Sequence, residues 1–365
     1  MEGGETSISI ALAGGAGGII LGLAARLGRF CTLSAIEDAL FGADLRRLRM
    51  WALAIAVAIA GVGVLRATGS IDFSTSLYHS LPMNPLAWVV GGLMFGGGMA
   101  LCGTCGYGTL ARVGGGDLRA LFGFLIFGIS AYMAIAGPTA QLRVWLLSPF
   151  GFVVENTPPT LDAWLGLDGF SYGLLSVPIA LLVGFWALRD GAFRRSVRHV
   201  FWGAMVGGAI VSGWIATAIV GADPFDPQPL ASHSYSVPLG QTIIYFMTMS
   251  SATLTFGIGA AFGVVVGSFV GALRLREFRW EGADDEREMR RHIVGAFLMG
   301  TGGVYAGGCT IGQGVSAVSV LAISAPVVLV SIWCGAWLGL SYLMEGKIIE
   351  RLQAMIGRWT DQRKY

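Results

Sequence analysis

The residues of this 365-residue chain best suited to chemistry are its five cysteines: Cys31, Cys102, Cys105, Cys309 and Cys334. Cys31, Cys105 and Cys309 each sit in a break between apolar runs, flanked by glycine or other small residues. Cys334 lies inside an apolar stretch before Gly-Ala-Trp and reads as an inert small hydrophobe. Cys102 and Cys105 form a C-x-x-C, a spacing used by redox dithiols and metal sites, but also one helical turn at the end of an apolar run. His79, His199, His233 and His292 are scattered, so neither zinc nor haem nor any other cofactor is expected. A membrane thiol oxidoreductase working through Cys102 and Cys105 is an alternative, but it would need a quinone and a partner dithiol that no outer loop supplies. The thirteen methionines form no M-x-x-M run, which argues against a copper carrier. A thiol with a pKa near 8.5 is mostly neutral at pH 7 and offers a weak S–H donor and a polarizable sulfur. Such a group suits a soft, sulfur-bearing anion. The apolar runs hold almost no acid or base for a proton relay, and no phosphate loop or Ser/His/Asp set is visible, so no enzyme is expected.

Apolar residues make up 54% of the chain, charged residues only 13%, and the mean hydropathy is +0.68. A soluble domain carries about 25% charged residues, so the elements that position the thiols must be membrane helices. A helix needs about 20 apolar residues to cross the hydrocarbon layer. Nine spans are expected, at 8–28, 50–68, 85–104, 119–140, 171–188, 199–220, 251–272, 292–307 and 319–343. The leader Met1 to Ser7 carries Glu2 and Glu5 and no basic residue, unlike a cleaved signal peptide, so the first run is expected to stay as a span. With the amino terminus outside, 22 of the 24 Lys and Arg residues fall on the inner side, and only Arg66 and Arg143 lie outside. The expected topology is amino terminus periplasmic and carboxyl terminus cytoplasmic. A net charge of +2 gives no reason to expect nucleic acid as a partner. Residues 344–365 read as a short amphipathic cytoplasmic tail.

Gly98-x4-Gly103-x-Cys105-x2-Gly108 recurs as Gly302-x4-Gly307-x-Cys309-x2-Gly312, an offset of 204 residues. The first copy ends an inward span and the second an outward one, as in an inverted-topology repeat. The whole chain is thus expected to form one transmembrane domain. Residues 8–140 are its first half, 171–188 a connector and 199–343 its second half. The same offset sends 28–42 onto 232–246, and both hold apolar stretches too short to span, Phe30 to Phe41 and Val237 to Met247. Re-entrant short helices are expected there. Their amide-rich starts suit an anion, which points to a transporter or channel.

The segments GRFCTLSA (28–35), GGGMALCGTCGYGTLARVGGG (96–116) and GGVYAGGCTIGQGVSA (302–317) resemble the three cysteine motifs of the YeeE/YedE family of bacterial inner-membrane proteins. The resemblance implies an all-helical, hourglass-shaped protein of the cell inner membrane that imports thiosulfate, with a small cytosolic sulfur carrier as a partner. It implies that Cys31, Cys105 and Cys309 hand the ion on by S–H···S contacts. Gly103, Gly108, Gly307, Gly308, Gly312 and Gln313 would then be the supporting turns. The chain departs from the family pattern at Cys102, where a small residue is expected, and at Thr104, where glycine is expected. The extra thiol makes another reduced sulfur or a selenium species the alternative substrate.

Overall fold

The computed structural model describes residues 2–80, 82–151, 158–221, 229–250, 252–282 and 285–345. Their helices are α1 (Glu2–Arg26), α2 (Thr32–Leu40), α3 (Arg46–Ala67), α4 (Leu77–Ser80), α5 (Pro85–Cys102), α6 (Gly106–Gly114), α7 (Leu118–Ala136) and α8 (Pro138–Leu147). They continue as α9 (Leu161–Leu165), α10 (Gly169–Leu188), α11 (Gly191–Arg195), α12 (Val197–Val220), α13 (Ser236–Thr248), α14 (Phe256–Leu275), α15 (Glu286–Tyr305) and α16 (Ser324–Glu345). Among the described residues there is no strand beyond two isolated bridges. The protein is an all-α polytopic membrane protein. Residues 346–365 of the expected cytoplasmic tail lie outside the described residues.

Eight helices are long and apolar enough to cross a membrane, and they match eight of the nine expected spans. The exception is the eighth, 292–307, the carboxyl-terminal part of α15, whose first turns are charged (Glu286, Arg287, Glu288, Arg290 and Arg291). Its apolar portion is too short to count by itself and is covered by α5 and α7. Two expected boundaries shift for local reasons. The 119–140 span stops at Gly137, because Pro138 starts α8. The 251–272 span begins only at Phe256, where Thr255 caps α14 by accepting from the Ile258 N–H.

Glycine sets the helix spacing, as lipid tails offer no hydrophobic drive toward association and small residues let backbones touch. Gly14, Gly18 and Gly22 of α1 lie against the carbonyls of Phe256, Ala260 and Val264, while Gly259, Gly263 and Gly267 of α14 lie against those of Ala11, Gly15 and Ile19. Helix pairs recur at the repeat offset: α1 packs on α14 as α12 packs on α3, and α5 on α16 as α15 on α7. α10 packs on α3 without a counterpart.

Arg66, one of the two basic residues expected outside, is held by partners within the protein. Arg66 donates to Asp162 at 2.6 Å and contacts His79 Nε2 at 3.1 Å, and its guanidinium lies 4.2 Å from the centre of the Tyr172 ring. Burial pushes the Asp162 carboxyl up, but the His79 ring and the Arg66 guanidinium outweigh it and hold the group well below the usual carboxylate range. Arg66→Met should leave that carboxylate stranded at a cost of about 3 kcal/mol, read as a lowered thermal midpoint in detergent. For a depressed carboxyl the contribution is complete above about pH 4, the unfolded value. It is lost only as pH falls through the lowered value, so wild-type stability between pH 7 and 5 should not change through this pair.

Candidate functional site

The sequence breaks helices where the site requires it. Gly103 ends α5 in the left-handed conformation (φ 68°), and Gly307 does the same after α15 (φ 72°), a geometry that costs glycine nothing. Each turn is then tied down from the following helix. Arg112 donates to the Gly103 carbonyl at 2.7 Å, and the Gln313 side-chain amide donates to Ala306 and Gly307, both at 3.1 Å. Ser324 in turn donates to Gln313 Oε1 at 3.1 Å. Gly308 continues the second turn (φ 158°).

Four short helices begin in the interior. Thr32 opens α2 and Ser236 opens α13, 204 positions apart; Gly106 opens α6 and Thr310 opens the helix after Cys309, again 204 apart. The residues just before them are Cys31, Tyr235, Cys105 and Cys309. The last helix winds as a π-helix over Gly312–Ala317, and every residue from Cys309 to Ala317 is buried. Each buried sulfur takes an amide from the first turn beside it. Gly108 N–H reaches Cys105 Sγ at 3.4 Å, and Gly312 N–H reaches Cys309 Sγ at 3.4 Å. Tyr235 N–H adds a third, reaching Cys309 Sγ at 3.3 Å. The polar neighbours of Cys105 include Cys31, Cys309 and the Thr310 hydroxyl. The structure thus brings the three expected thiols together.

Aromatic rings wall the cluster. Tyr107 and Tyr235 face each other at 5.6 Å, Phe30 stacks on Trp51 at 4.5 Å, and the Tyr78 hydroxyl donates to the Gly312 carbonyl at 2.7 Å. A cavity of about 310 Å³ opens on one side, lined by Tyr78, Trp214, Ser232, Ser234, Gln241, Gly307 and Gly308, with no charged residue among the described ones. On the other side Cys31, Thr104 and Gly108 line a cavity of about 360 Å³ together with Arg26, Arg29, Arg47 and Arg112. Cys105 and Cys309 are fully buried and Cys31 is half-buried. Neutral cavity, sealed thiols and basic cavity follow one another.

Two cysteines stand apart. Cys102 donates to the His292 carbonyl at 3.2 Å across the contact between α5 and α15, and Cys334 is exposed on α16. All five thiols are free. Sequence reasoning missed the tyrosines and Thr310. Tyr235 was within reach of it, since the repeat offset carries Cys31 onto Tyr235.

Apolar helices folded around converging thiols, with a cavity at either end, define a membrane protein built for passage of a small solute. The chain belongs to the sulphur transport family (YeeE/YedE), which it matches over residues 27–338. It is 26% identical over 330 residues to the thiosulfate transporter TsuA of Spirochaeta thermophila, covering 88% of this chain and 95% of that protein. To the thiosulfate transporter TsuA of Escherichia coli strain K12 it is 25% identical over 355 residues, covering 90% of this chain and 95% of that one.

Proposed function

We propose that the protein imports thiosulfate across the cell inner membrane by a thiol relay, without covalent chemistry. The observation that carries this reading is the cluster of half-buried Cys31 with the sealed Cys105 and Cys309 between two cavities. Amide N–H groups occupy the Cys105 and Cys309 sulfurs as acceptors, which leaves each S–H free to donate to a passing anion. Thiosulfate presents a soft terminal sulfur to such donors, and the Thr310 hydroxyl beside Cys105 suits its oxygens. In this reading the ion passes from the neutral cavity by Cys309, Cys105 and Cys31 to the basic cavity, an order supported by Gly307 and Gly308 lining the first cavity and Cys31 the second.

In this reading spans 1–4 and 6–9 are inverted halves joined by α10, with the amino terminus periplasmic. A reporter active only in the cytoplasm should be active when fused after Tyr365; activity only in the periplasm would overturn the orientation. A small cytosolic sulfur carrier would receive the ion. The test of function is growth on thiosulfate as sole sulfur source in a host lacking its own uptake system. Restored growth with uptake of labelled thiosulfate supports the reading; no uptake by protein present in the membrane removes it. Cys102→Ala should keep transport within about twofold of wild type, since one weak S–H bond to a helix carbonyl contributes about 1 kcal/mol of stability at most. A loss matching that of Cys105→Ala would instead mark a working dithiol.

A further inference from the structure

We propose that the basic cavity is a binding site in its own right for small divalent oxyanions, selective for charge and not for sulfur, so that sulfate occupies it as readily as thiosulfate. Arg26, Arg29, Arg47 and Arg112 line it with Cys31, and no carboxylate among the described residues does. Most of the positive charge is not neutralised by direct ion pairing. Arg26 donates to Ser268 Oγ at 3.3 Å and to the Ala111 carbonyl at 3.2 Å, and Arg112 donates to the Gly103 carbonyl, all neutral partners. Arg47 pairs with Asp38 at 3.2 Å. Arg29 is exposed and has no side-chain hydrogen bond or ion pair among the described residues.

Acidic groups stand further back, with Glu277, Asp117 and Glu281 around Arg26 and Glu37 near Arg47 and Arg112. None of these four lines the cavity. Planar guanidinium forks match tetrahedral oxyanions, and a concave cluster of one sign concentrates counter-ions 10-fold or more. The cavity beyond the opposite face of the thiol cluster has no charged residue among the described ones in its lining. Charge recognition is therefore confined to one side of the thiol cluster, where Cys31 reaches the cavity wall. The site's place as the exit station rests on the transport reading; its binding of oxyanions does not. A consequence is that sulfate, refused by the thiols, competes with the substrate here, from the basic side only.

Cys31 on the cavity wall reports occupancy. The purified full-length protein in detergent is treated with an anionic methanethiosulfonate reagent (ethylsulfonate) or its cationic analogue (ethyltrimethylammonium). Labelling of Cys31 is followed by peptide mass spectrometry. Relative to a free thiol, the anionic reagent should be favoured about tenfold, and ~1 M salt should erase most of that preference. Millimolar sulfate should slow labelling of Cys31 and leave the lipid-facing Cys334 unaffected. Arg29→Asn, chosen because asparagine tolerates the left-handed backbone found there (φ 55°), should weaken both effects; Arg29→Lys should keep them. Equal labelling by the two reagents, or no protection by sulfate, would overturn the site. Thiosulfate uptake is scored separately: lost uptake with intact sulfate protection would remove the transport reading and leave this site standing, and the reverse would remove the site alone.

Discussion

Cys105→Ser and Cys309→Ser should each abolish growth on thiosulfate while the protein remains in the membrane at near wild-type level. Serine keeps the size and a hydroxyl donor, and the amides that now meet Cys105 and Cys309 sulfur could still meet its oxygen. What it loses is a polarizable, weakly hydrated atom matched to the terminal sulfur of the anion. Losing a hydrogen bond to a charged group outright costs about 1.5–3 kcal/mol, so alanine in place of a thiol should slow passage roughly 10- to 100-fold. Cys31→Ser should do the same or less, because Cys31 is half-buried on a cavity wall whereas the other two are sealed. Alanine at any of the three should be no better than serine. Sulfate should not compete at the thiols, having no terminal sulfur. The measurement is uptake of labelled thiosulfate, normalised to protein in the membrane. Full uptake by the Cys105→Ser, Cys309→Ser double variant would be incompatible with a thiol relay and would leave only helix-start amides to guide the anion.

Gly259→Val should prevent accumulation of folded protein, and Gly208→Val should be tolerated. Both glycines lie in apolar helices, so composition does not separate them. A Cβ on Gly259 of α14 would overlap the Ala11 carbonyl of α1, and Gly15 and Ile19 repeat the same contact opposite Gly263 and Gly267. The atom in the way is backbone, so no rotamer change relieves it, and the helices must separate along their length. Overpacking costs about 1–3 kcal/mol where side chains can move; here it should reach the upper end or exceed it, and the loss of contact should spread along the crossing. A Cβ on Gly208 meets nothing within 4 Å. Size-exclusion profiles of the two variants in detergent make the comparison. A monodisperse Gly259→Val protein with a wild-type thermal midpoint would show that α1 and α14 do not cross this closely.

A bilayer makes parts of such a chain legible because every buried backbone group must be paired within its own helix. Eight spans could be read from uncharged run lengths. The eighth expected span was the hard one: α15 carries its charges at its start, and neighbouring helices supply the cover that its short apolar portion lacks. The turns before Cys105 and Cys309 were readable too, because only glycine takes a left-handed turn without cost and the pattern occurs twice.

By itself the sequence determined the class of protein, the span positions, the offset of 204 and the three cysteines that open short helices. The partners those residues meet were decided by tertiary structure alone. In a membrane helix both the lipid-facing and the protein-facing sides are apolar, so the rotation of a helix about its axis leaves little trace in hydropathy. That rotation turns Cys102 toward His292, three residues from a thiol that faces the centre. It brings Tyr235 N–H to Cys309, and it pairs Arg66 with Asp162, a basic residue that in sequence looks misplaced. The arginines show the same division. Their clustering in one set of expected loops is visible in the sequence, but only contacts between residues 26–47 and 104–112 gather four of them around one space beside Cys31. Spacing along a chain sets what a helix is made of; packing between segments distant in sequence sets which of its faces looks inward.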